Sequence, residues 1–371
     1  MKPQYIMIGG FLGAGKTTTV SRLAKEFIKQ GKRVAIVTND QAADLVDTHS
    51  LRSQGFAVGE VAGACFCCNF NQLTQTMESL SSENLPEIIL AEPVGSCTDL
   101  VATVLRPLEQ VYGIPLDIAP YGVILKPSHG KKILEGKSGG GFTPKAEYIF
   151  KKQIEEADFI LLNRIDELEP TEVSQLENFL QQQFPGKQIL KISAKTGLGF
   201  DALYSLYSLP VQDRNRAYRQ STMELDYDIY AEGEAELGWL NCQVEVSAVK
   251  PFLLDSFLLH LIQGLNVKFI AQGAEAAHLK TIGLYEGFYA VANLVSNETG
   301  PELSLPSEVI VPFANVVINA RVGTDPVVLE QCVRDQVEST ATSFGAKAMV
   351  TSLQCFRPGR PIPTHRIAQP Q

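Results

Sequence analysis

No stretch of this chain approaches the roughly 20 consecutive apolar residues that a membrane-spanning helix needs, so a bilayer is not among its expected partners. A secretory leader has no room either, because an apolar strand already begins within a few residues of Met1. A disulfide framework is also lacking: the seven cysteines are spread unevenly and accompany no export signal, which points to a reducing cytoplasm. Positive charge is in deficit. The net charge of −9 argues against a general nucleic-acid or anionic-membrane surface, although a local basic patch survives that test. The rest of the composition, 45% hydrophobic and 20% charged, is that of a globular protein, and 371 residues suffice for two domains with separate cores.

Against that background one stretch stands out, Gly9 to Thr18, reading Gly-Gly-Phe-Leu-Gly-Ala-Gly-Lys-Thr-Thr. From Gly10 to Thr17 it has the spacing glycine, four residues, glycine, lysine, threonine of a phosphate-binding loop. Tyr5 to Ile8 before it reads as a buried strand. After it, Val20, Leu23, Ala24, Phe27 and Ile28 recur at helical spacing until Gly31 supplies a stop. A strand, a glycine-rich turn and a helix in that order aim backbone N–H groups and the positive end of the helix dipole at one place. Gly10, Gly13, Ala14, Gly15, Lys16, Thr17 and Thr18 are therefore expected to line a polyphosphate site, the glycines because a Cβ would keep the backbone away from the phosphates. Lys16 would reach the β- and γ-phosphates, and the Thr17 hydroxyl would hold Mg²⁺.

A second strand, Arg33 to Thr38, runs into Asn39-Asp40 and an acidic loop with Asp44 and Asp47, where a nucleotide switch would lie. Asp40 and its neighbours are candidate contacts to Mg²⁺ or a second metal, with solvated loop acids as the plainer alternative. Cys65, Cys67 and Cys68 follow within four positions. Thiolates this close repel one another, and a soft divalent cation uses them well; three sulfurs leave a tetrahedral ion one open position. Small buried hydrophobes and a redox role are the competing readings.

Glu87 to Ala91 is an apolar strand that delivers Glu92, followed by Pro93-Val94-Gly95. Open α/β sheets place catalytic groups at such strand ends, so Glu92 is assigned to Mg²⁺ or the attacking water and the Gly95 N–H to the γ-phosphate. Cys97, with no partner beside it, reads as structural. Tyr121 to Leu125 is a further strand. Gly136-Lys137-Ser138 imitates a second phosphate loop but has Lys131 where a glycine should stand, so Ser128 to Thr143 reads as a surface loop or lid. The strand Asp158 to Leu162 ends in Asn163-Arg164-Ile165-Asp166. A carboxylate there accepts from the N1–H and 2-amino group of guanine, donors that adenine lacks. The strand Lys187 to Ile192 ends in Ser193-Ala194-Lys195-Thr196-Gly197, whose backbone would meet the guanine carbonyl.

The C-terminal half is less telling. Residues 211–222 are polar, hold three arginines and read as a linker. Leu237 to Val249, Lys280 to Val295, Val309 to Ala320 and Ala348 to Phe356 read as strands. Pro251 to Leu265 and the stretch opened by Asp325-Pro326 read as helices, a pattern that a ferredoxin-like sheet with two helices on one face would satisfy. Cys242, Cys332 and Cys355 fall inside these elements as core residues. His260 and His278 are isolated, which favours partly exposed faces over ligation. The tail at Pro358-Gly359-Arg360-Pro361 has either the sheet or a partner to dock on.

Taken in order, five motifs resemble those of the CobW-like GTPases, a family related to the GTPases that mature nickel hydrogenase and urease. They are Gly10 to Thr17, the CxCC at Cys65, Cys67 and Cys68, the ExxG from Glu92 to Gly95, Asn163 to Asp166, and Ser193 to Gly197. The resemblance covers about the first 210 residues. It implies a SIMIBI-class α/β fold, a mainly parallel P-loop NTPase sheet flanked by helices, over 1–210, with a smaller α+β domain over 223–371. It further implies GTP as substrate, Mg²⁺, a transition-metal cargo (Zn²⁺ first, with Co²⁺ or Ni²⁺ as alternatives), a client metalloprotein as partner, and a homodimer left open. Departures are Arg164 where lysine is usual, an Asn39 to Asp44 segment in place of the usual glutamate and glycine, and no histidine-rich tract. Rival readings are a nucleotide-gated metal sensor or scaffold without turnover and a small-molecule kinase, which would use neither the cysteines nor the guanine motif.

Overall fold

Apolar runs too continuous to alternate, such as Tyr5-Ile6-Met7-Ile8 and Ile88-Ile89-Leu90-Ala91, have to be covered on both faces, and such strands belong in the middle of a parallel sheet. The computed structural model, which describes residues 2–39, 46–81, 85–134, 144–218, 222–297 and 300–368, places them there. The chain divides into two units, one of residues 1–41, 56–230 and 360–371, the other of 42–55 and 231–359.

In the first unit the strands are β1 (Gln4–Gly10), β2 (Val34–Asn39), β3 (Ala57–Val61), β4 (Ile88–Glu92), β5 (Asp117–Ile118), β6 (Gly122–Leu125), β7 (Phe159–Leu162) and β8 (Gln188–Lys191). Seven of them run parallel in the order β3-β2-β4-β1-β6-β7-β8, and the two-residue β5 also pairs with β1. Helices that follow the strands, among them Lys16–Lys29, Phe70–Ser81 and Pro144–Glu156, flank the sheet. β1 is central, with β4 on one side and β6 on the other, so whatever projects from its carboxyl end is shielded by both neighbours.

Residues 211–222, expected as a linker, begin with a helix, Val211–Ala217, that belongs to the first unit. Its Arg214 is buried and ion-paired with Asp117, a partner 97 positions away that composition could not announce. The division expected at 210–223 therefore falls near residue 230, and the last twelve residues, 360–371, return to the first unit.

The second unit is one antiparallel sheet of β9 (Gly238–Leu253), β10 (Ala276–Tyr285), β11 (Phe288–Leu294), β12 (Pro301–Leu305), β13 (Ile310–Val322) and β14 (Ala346–Phe356) in the order β12-β11-β10-β13-β9-β14. The stretch expected as a single strand at 280–295 is a hairpin, turned at Glu286 and Gly287, both with positive φ. Alternate residues of β9, Leu240, Cys242, Val244 and Val246, face a core shared with the helices Leu254–Ala271 and Pro326–Ser343. Asp325 caps the second of these, accepting from Val327 N–H at 2.9 Å. A short helix, Val46–Ser53, covers the other face, with Val46 against Ile282, Val291 and Val317 and its N–H on Asn319 Oδ1 at 2.8 Å. Asp47, read from the sequence as a switch-loop acid, is ion-paired with Lys280 there.

One buried acid ties the first unit's fold to pH. Glu156 ends the helix Pro144–Glu156, accepts from Val101 N–H and is 1% exposed; its Oε2 has no hydrogen-bond partner among the described residues. Burial, with the nearby Asp99 charge adding to it, pushes its carboxyl up to about 8. The unfolded group titrates near ~4.3. Stability from this raised group is complete below that value and is lost as pH rises towards 8, because the unfolded chain sheds the proton first. Glu156→Gln should therefore gain on wild type by up to a few kcal/mol as pH climbs from about 4.5 to 8. Urea unfolding at pH 5 and pH 8 checks this, and a pH-independent difference would contradict it.

Candidate functional site

At the carboxyl end of β1 the chain turns through the glycine loop into the helix Lys16–Lys29. Gly10, Gly13 and Gly15 all have positive φ, a region that side chains other than glycine's seldom enter. A Cβ on Gly10 would fall 2.6 Å from the Ile124 carbonyl, and one on Gly15 would fall 2.5 Å from Asn163 Nδ2. The neighbours that exclude a side chain at these two positions are thus the protein's own strand and loop, as well as any phosphate expected there. Gly15 caps the helix without a side-chain bond, so the first-turn N–H groups, those of Thr17 and Thr18 included, carry the positive end of the dipole. The Ala14 carbonyl is used internally, accepting from Asn163 Nδ2 at 2.8 Å.

Lys16 is buried, with Nζ donating to Gly10 O at 3.0 Å and Phe11 O at 3.3 Å. The Thr17 hydroxyl donates to Glu92 Oε1 at 2.8 Å, joining the loop to the end of β4. That pairing follows from the register, since β4 lies beside β1 with Ala91 opposite Met7. Gly95 lies directly over the lysine: a Cβ there would come within 2.9 Å of Lys16 Nζ and 3.0 Å of Leu12 Cα. The sequence-predicted Lys16, Thr17, Glu92 and Gly95 are therefore brought together.

The turns after β7 and β8 meet at the same loop. Asn163, almost fully buried, donates to Ala14 O and accepts from Ala194 N–H at 2.9 Å, so one amide joins the phosphate loop to the turn after β8. Ser193 is buried and its hydroxyl accepts from Thr196 N–H at 3.0 Å, which shapes that turn. Asp166 lies exposed in a 3₁₀ turn, Ile165–Glu167, and Arg164, at φ 61°, pairs with Glu167 at 2.9 Å. Sequence reasoning missed Arg22. From the helix Lys16–Lys29 it donates to Ala194 O at 2.9 Å and Lys195 O at 2.6 Å and holds the turn after β8. No local pattern marks it, because an arginine on a helix so often faces water.

The three thiols also converge. Cys65 and Cys67 are buried, Cys68 is half-buried, and their sulfurs are 3.0 Å (Cys65–Cys67), 3.2 Å (Cys65–Cys68) and 3.7 Å (Cys67–Cys68) apart. Asn39, the last residue of β2, shapes this loop: Nδ2 donates to Val61 O and Ala64 O at 2.9 and 2.8 Å, and Oδ1 accepts from Phe66 N–H at 2.8 Å. Hydrogen bonding with Cys67, Cys68 and Cys97 holds the Cys65 thiol well below the usual range. Hydrogen bonding with Cys65 pushes Cys68 up to about 12, and hydrogen bonding with Cys65 and Cys68 plus burial raises Cys67. The cluster thus favours a thiolate on Cys65 over the other two.

The returning C-terminal segment lies across this loop. Thr364 donates from its N–H to Cys67 O at 2.8 Å and from its hydroxyl to Cys68 O at 3.1 Å, and the His365 ring meets Phe70 edge-on. Arg366 pairs with the buried Asp99 at 2.7 Å, to which Tyr227 also donates at 2.8 Å. Asp40 and Asp44 lie outside the described residues, as does most of the expected lid, 135–143.

A parallel sheet with a glycine loop at the end of its central strand, leading into a helix that begins with lysine and threonine, and an acid on the next strand define a P-loop nucleotide-binding domain, here with a thiol cluster beside it. The chain belongs to the CobW/HypB/UreG family, whose nucleotide-binding domain matches residues 4–191. It is 26% identical over 187 residues to the zinc chaperone YeiR of Escherichia coli (strain K12), a match over 50% of this chain and 53% of the relative, so the chain spans about half the length of the curated relative it matches. Among solved structures, the nickel complex of HypB from Helicobacter pylori aligns with 60% of this chain and 92% of its own at 18% identity and a TM-score of 0.43. The Zn(II)-bound YjiA GTPase from E. coli aligns with 91% and 99% at 14% identity and a TM-score of 0.36. Among the described residues, no helix is long and apolar enough to cross a membrane.

Replacing Asn163 by alanine removes both bonds that join the phosphate loop to the turn after β8, those to Ala14 O and from Ala194 N–H. A loss of about 2 kcal/mol in stability is expected, with guanine-nucleotide affinity lowered on the order of 10-fold or more. Fluorescent-GDP titration and thermal unfolding of the same variant measure the two effects.

Proposed function

We propose that this protein hydrolyses GTP and couples the cycle to holding and passing on a divalent transition metal, with zinc as the first candidate. The observation that carries this reading is the placement of the thiols. Their loop is pinned by Asn39 at the end of β2, and β2 pairs with β4 so that Thr38 stands opposite Glu92, the acid that contacts the phosphate-loop Thr17. A soft-ligand site and a phosphate-sensing acid therefore hang from adjacent strand ends. Family membership and the zinc-chaperone relative support the same reading. Seven free thiols fit a reducing cytoplasm.

The donor sets suit different ions. The Thr17 hydroxyl and Glu92 carboxylate are hard oxygen ligands, fit to hold Mg²⁺, which when bound supplies charge neutralisation for the β- and γ-phosphates. The metal candidates Cys65, Cys67 and Cys68 are soft and suit Zn²⁺, Co²⁺ or Ni²⁺ as cargo. Lys16 would leave the carbonyls of Gly10 and Phe11 for the phosphates. The Gly95 N–H would bind the γ-phosphate, and Glu92 would orient the water that attacks it. Asp166 would accept from guanine, while Ser193 and Ala194 face its carbonyl. Loss of the γ-phosphate releases Gly95 and its loop, and a change in thiol geometry passes the ion to a client metalloprotein.

Two measurements test this. Phosphate release from GTP should fall at least ~100-fold in Lys16→Ala, and normal turnover would refute the assigned site. Calorimetric titration of Zn²⁺ with and without a non-hydrolysable GTP analogue should give different affinities, and the metal should shift analogue affinity by the same factor. Affinities indifferent to nucleotide would refute the coupling.

A further inference from the structure

Nothing local marks Gln153, one of several polar residues in the helix Pro144–Glu156. The fold sets it on the covered face of that helix, 1% exposed, together with Ile149, Phe150 and Ile154. A buried amide among apolar side chains is costly unless its N–H groups are used. Its Nε2 donates twice, to Gly95 O at 2.9 Å and to Cys97 O at 2.8 Å. Around those two carbonyls the chain makes a tight turn, closed by Cys97 N–H on Val94 O at 3.0 Å. Residues three positions to either side grip the adjoining chain. The Phe150 ring meets Phe11 of the glycine loop edge-on, with centroids 6.0 Å apart, and Glu156 accepts from Val101 N–H.

We propose that Gln153 is a positioning residue for the γ-phosphate: by holding the turn at Gly95 and Cys97 it keeps the Gly95 N–H in place before nucleotide arrives, and so favours GTP over GDP. The proposal rests on the reading above in which the Gly95 N–H binds the γ-phosphate. The turn is gripped from two directions. Gly95 lies against the glycine loop, where a Cβ would fall 2.8 Å from Leu12 Cδ2 and 2.9 Å from Lys16 Nζ. Its φ is not positive, so closeness and not backbone conformation requires glycine there. With no side chain at Gly95 to anchor the turn, the anchor comes from the helix, as Gln153.

A loose turn offered to a phosphate must be ordered at the moment of binding, and that ordering subtracts from affinity. Fixing it in the folded chain is preorganisation, which places an N–H donor where negative charge will sit. The amide also engages two carbonyl oxygens that would otherwise repel an incoming anion. Both of its bonds go to the Gly95 turn and neither to the glycine loop, so the effect falls on the third phosphate and spares the first two.

Full-length wild type, Gln153→Met and Gly95→Ala are titrated with fluorescent GDP and with a non-hydrolysable GTP analogue, and turnover of GTP is followed by phosphate release. Gln153→Met keeps the length of the side chain and removes the donor. Its affinity for the analogue should fall on the order of 10-fold, the worth of one or two buried hydrogen bonds, with GDP affinity within about 2-fold of wild type. Turnover should fall with the analogue affinity. Equal losses for GDP and analogue, or no change in either, would overturn the proposal, and a selective loss in Gly95→Ala would then leave the γ-phosphate reading standing. If Gly95→Ala, whose Cβ would meet Lys16, bound the analogue as wild type does, that reading itself would fail and this inference with it. Should Gln153→Met not fold, Gln153→Asn, an amide one methylene short of both carbonyls, takes its place with the same expected split. If neither folds, Gln153 serves stability alone and the proposal is refuted.

Discussion

The pairing of β2 with β4 is the constraint on which the site depends. Parallel register puts Thr38 beside Glu92, so the two strands end together, one in an amide and the other in a carboxylate. The amide, Asn39, bonds to the end of β3 at Val61 and to the cysteine loop at Ala64 and Phe66, and the carboxylate takes the Thr17 hydroxyl. Buried polar side chains of this kind specify geometry more than they add stability, since each bond contributes only about 1 kcal/mol net but leaving one unmade costs more. A displacement at either strand end is therefore felt by both sites.

Rigid packing and local freedom are divided along the same line. The central strands β4, β6 and β7 are fully buried, and the loops above the sheet are held by a few named bonds: Asn163 between two turns, Arg22 on the turn after β8, Gln153 on the Gly95–Cys97 piece. Such bonds can be exchanged without disturbing the sheet, which is what a switch on a stable scaffold requires. The C-terminal segment adds a second grip on the cysteine loop through Thr364 and on Asp99 through Arg366.

Much of the site was legible because its chemistry is local. Glycine at a positive φ, a lysine and threonine at a helix start, and three cysteines in four positions are each read within a dozen residues. Six strands of the first unit were legible too, most of them continuous apolar runs because they are covered on both faces, whereas the edge strand β3, largely half-exposed, and the two-residue β5 were not. The hairpin at Glu286-Gly287 was not, since both of its arms have similar polarity and the turn is only two residues. Nor was the seat of 46–53: Val46 and Asp47 find Asn319 and Lys280 more than 200 positions later, and their own neighbours are those of any loop.

The amino-acid sequence by itself determined the class of this protein, since a phosphate loop, a thiol triplet and their order are properties of short segments. Tertiary structure alone decided that Arg22 supports the turn after β8 and that the C-terminal segment lies on the cysteines. The reason is physical. Short-range patterns follow from the geometry of single turns and strands, whereas these contacts depend on strand order in the sheet, and a crossover can bring any two loops together without leaving a mark on either.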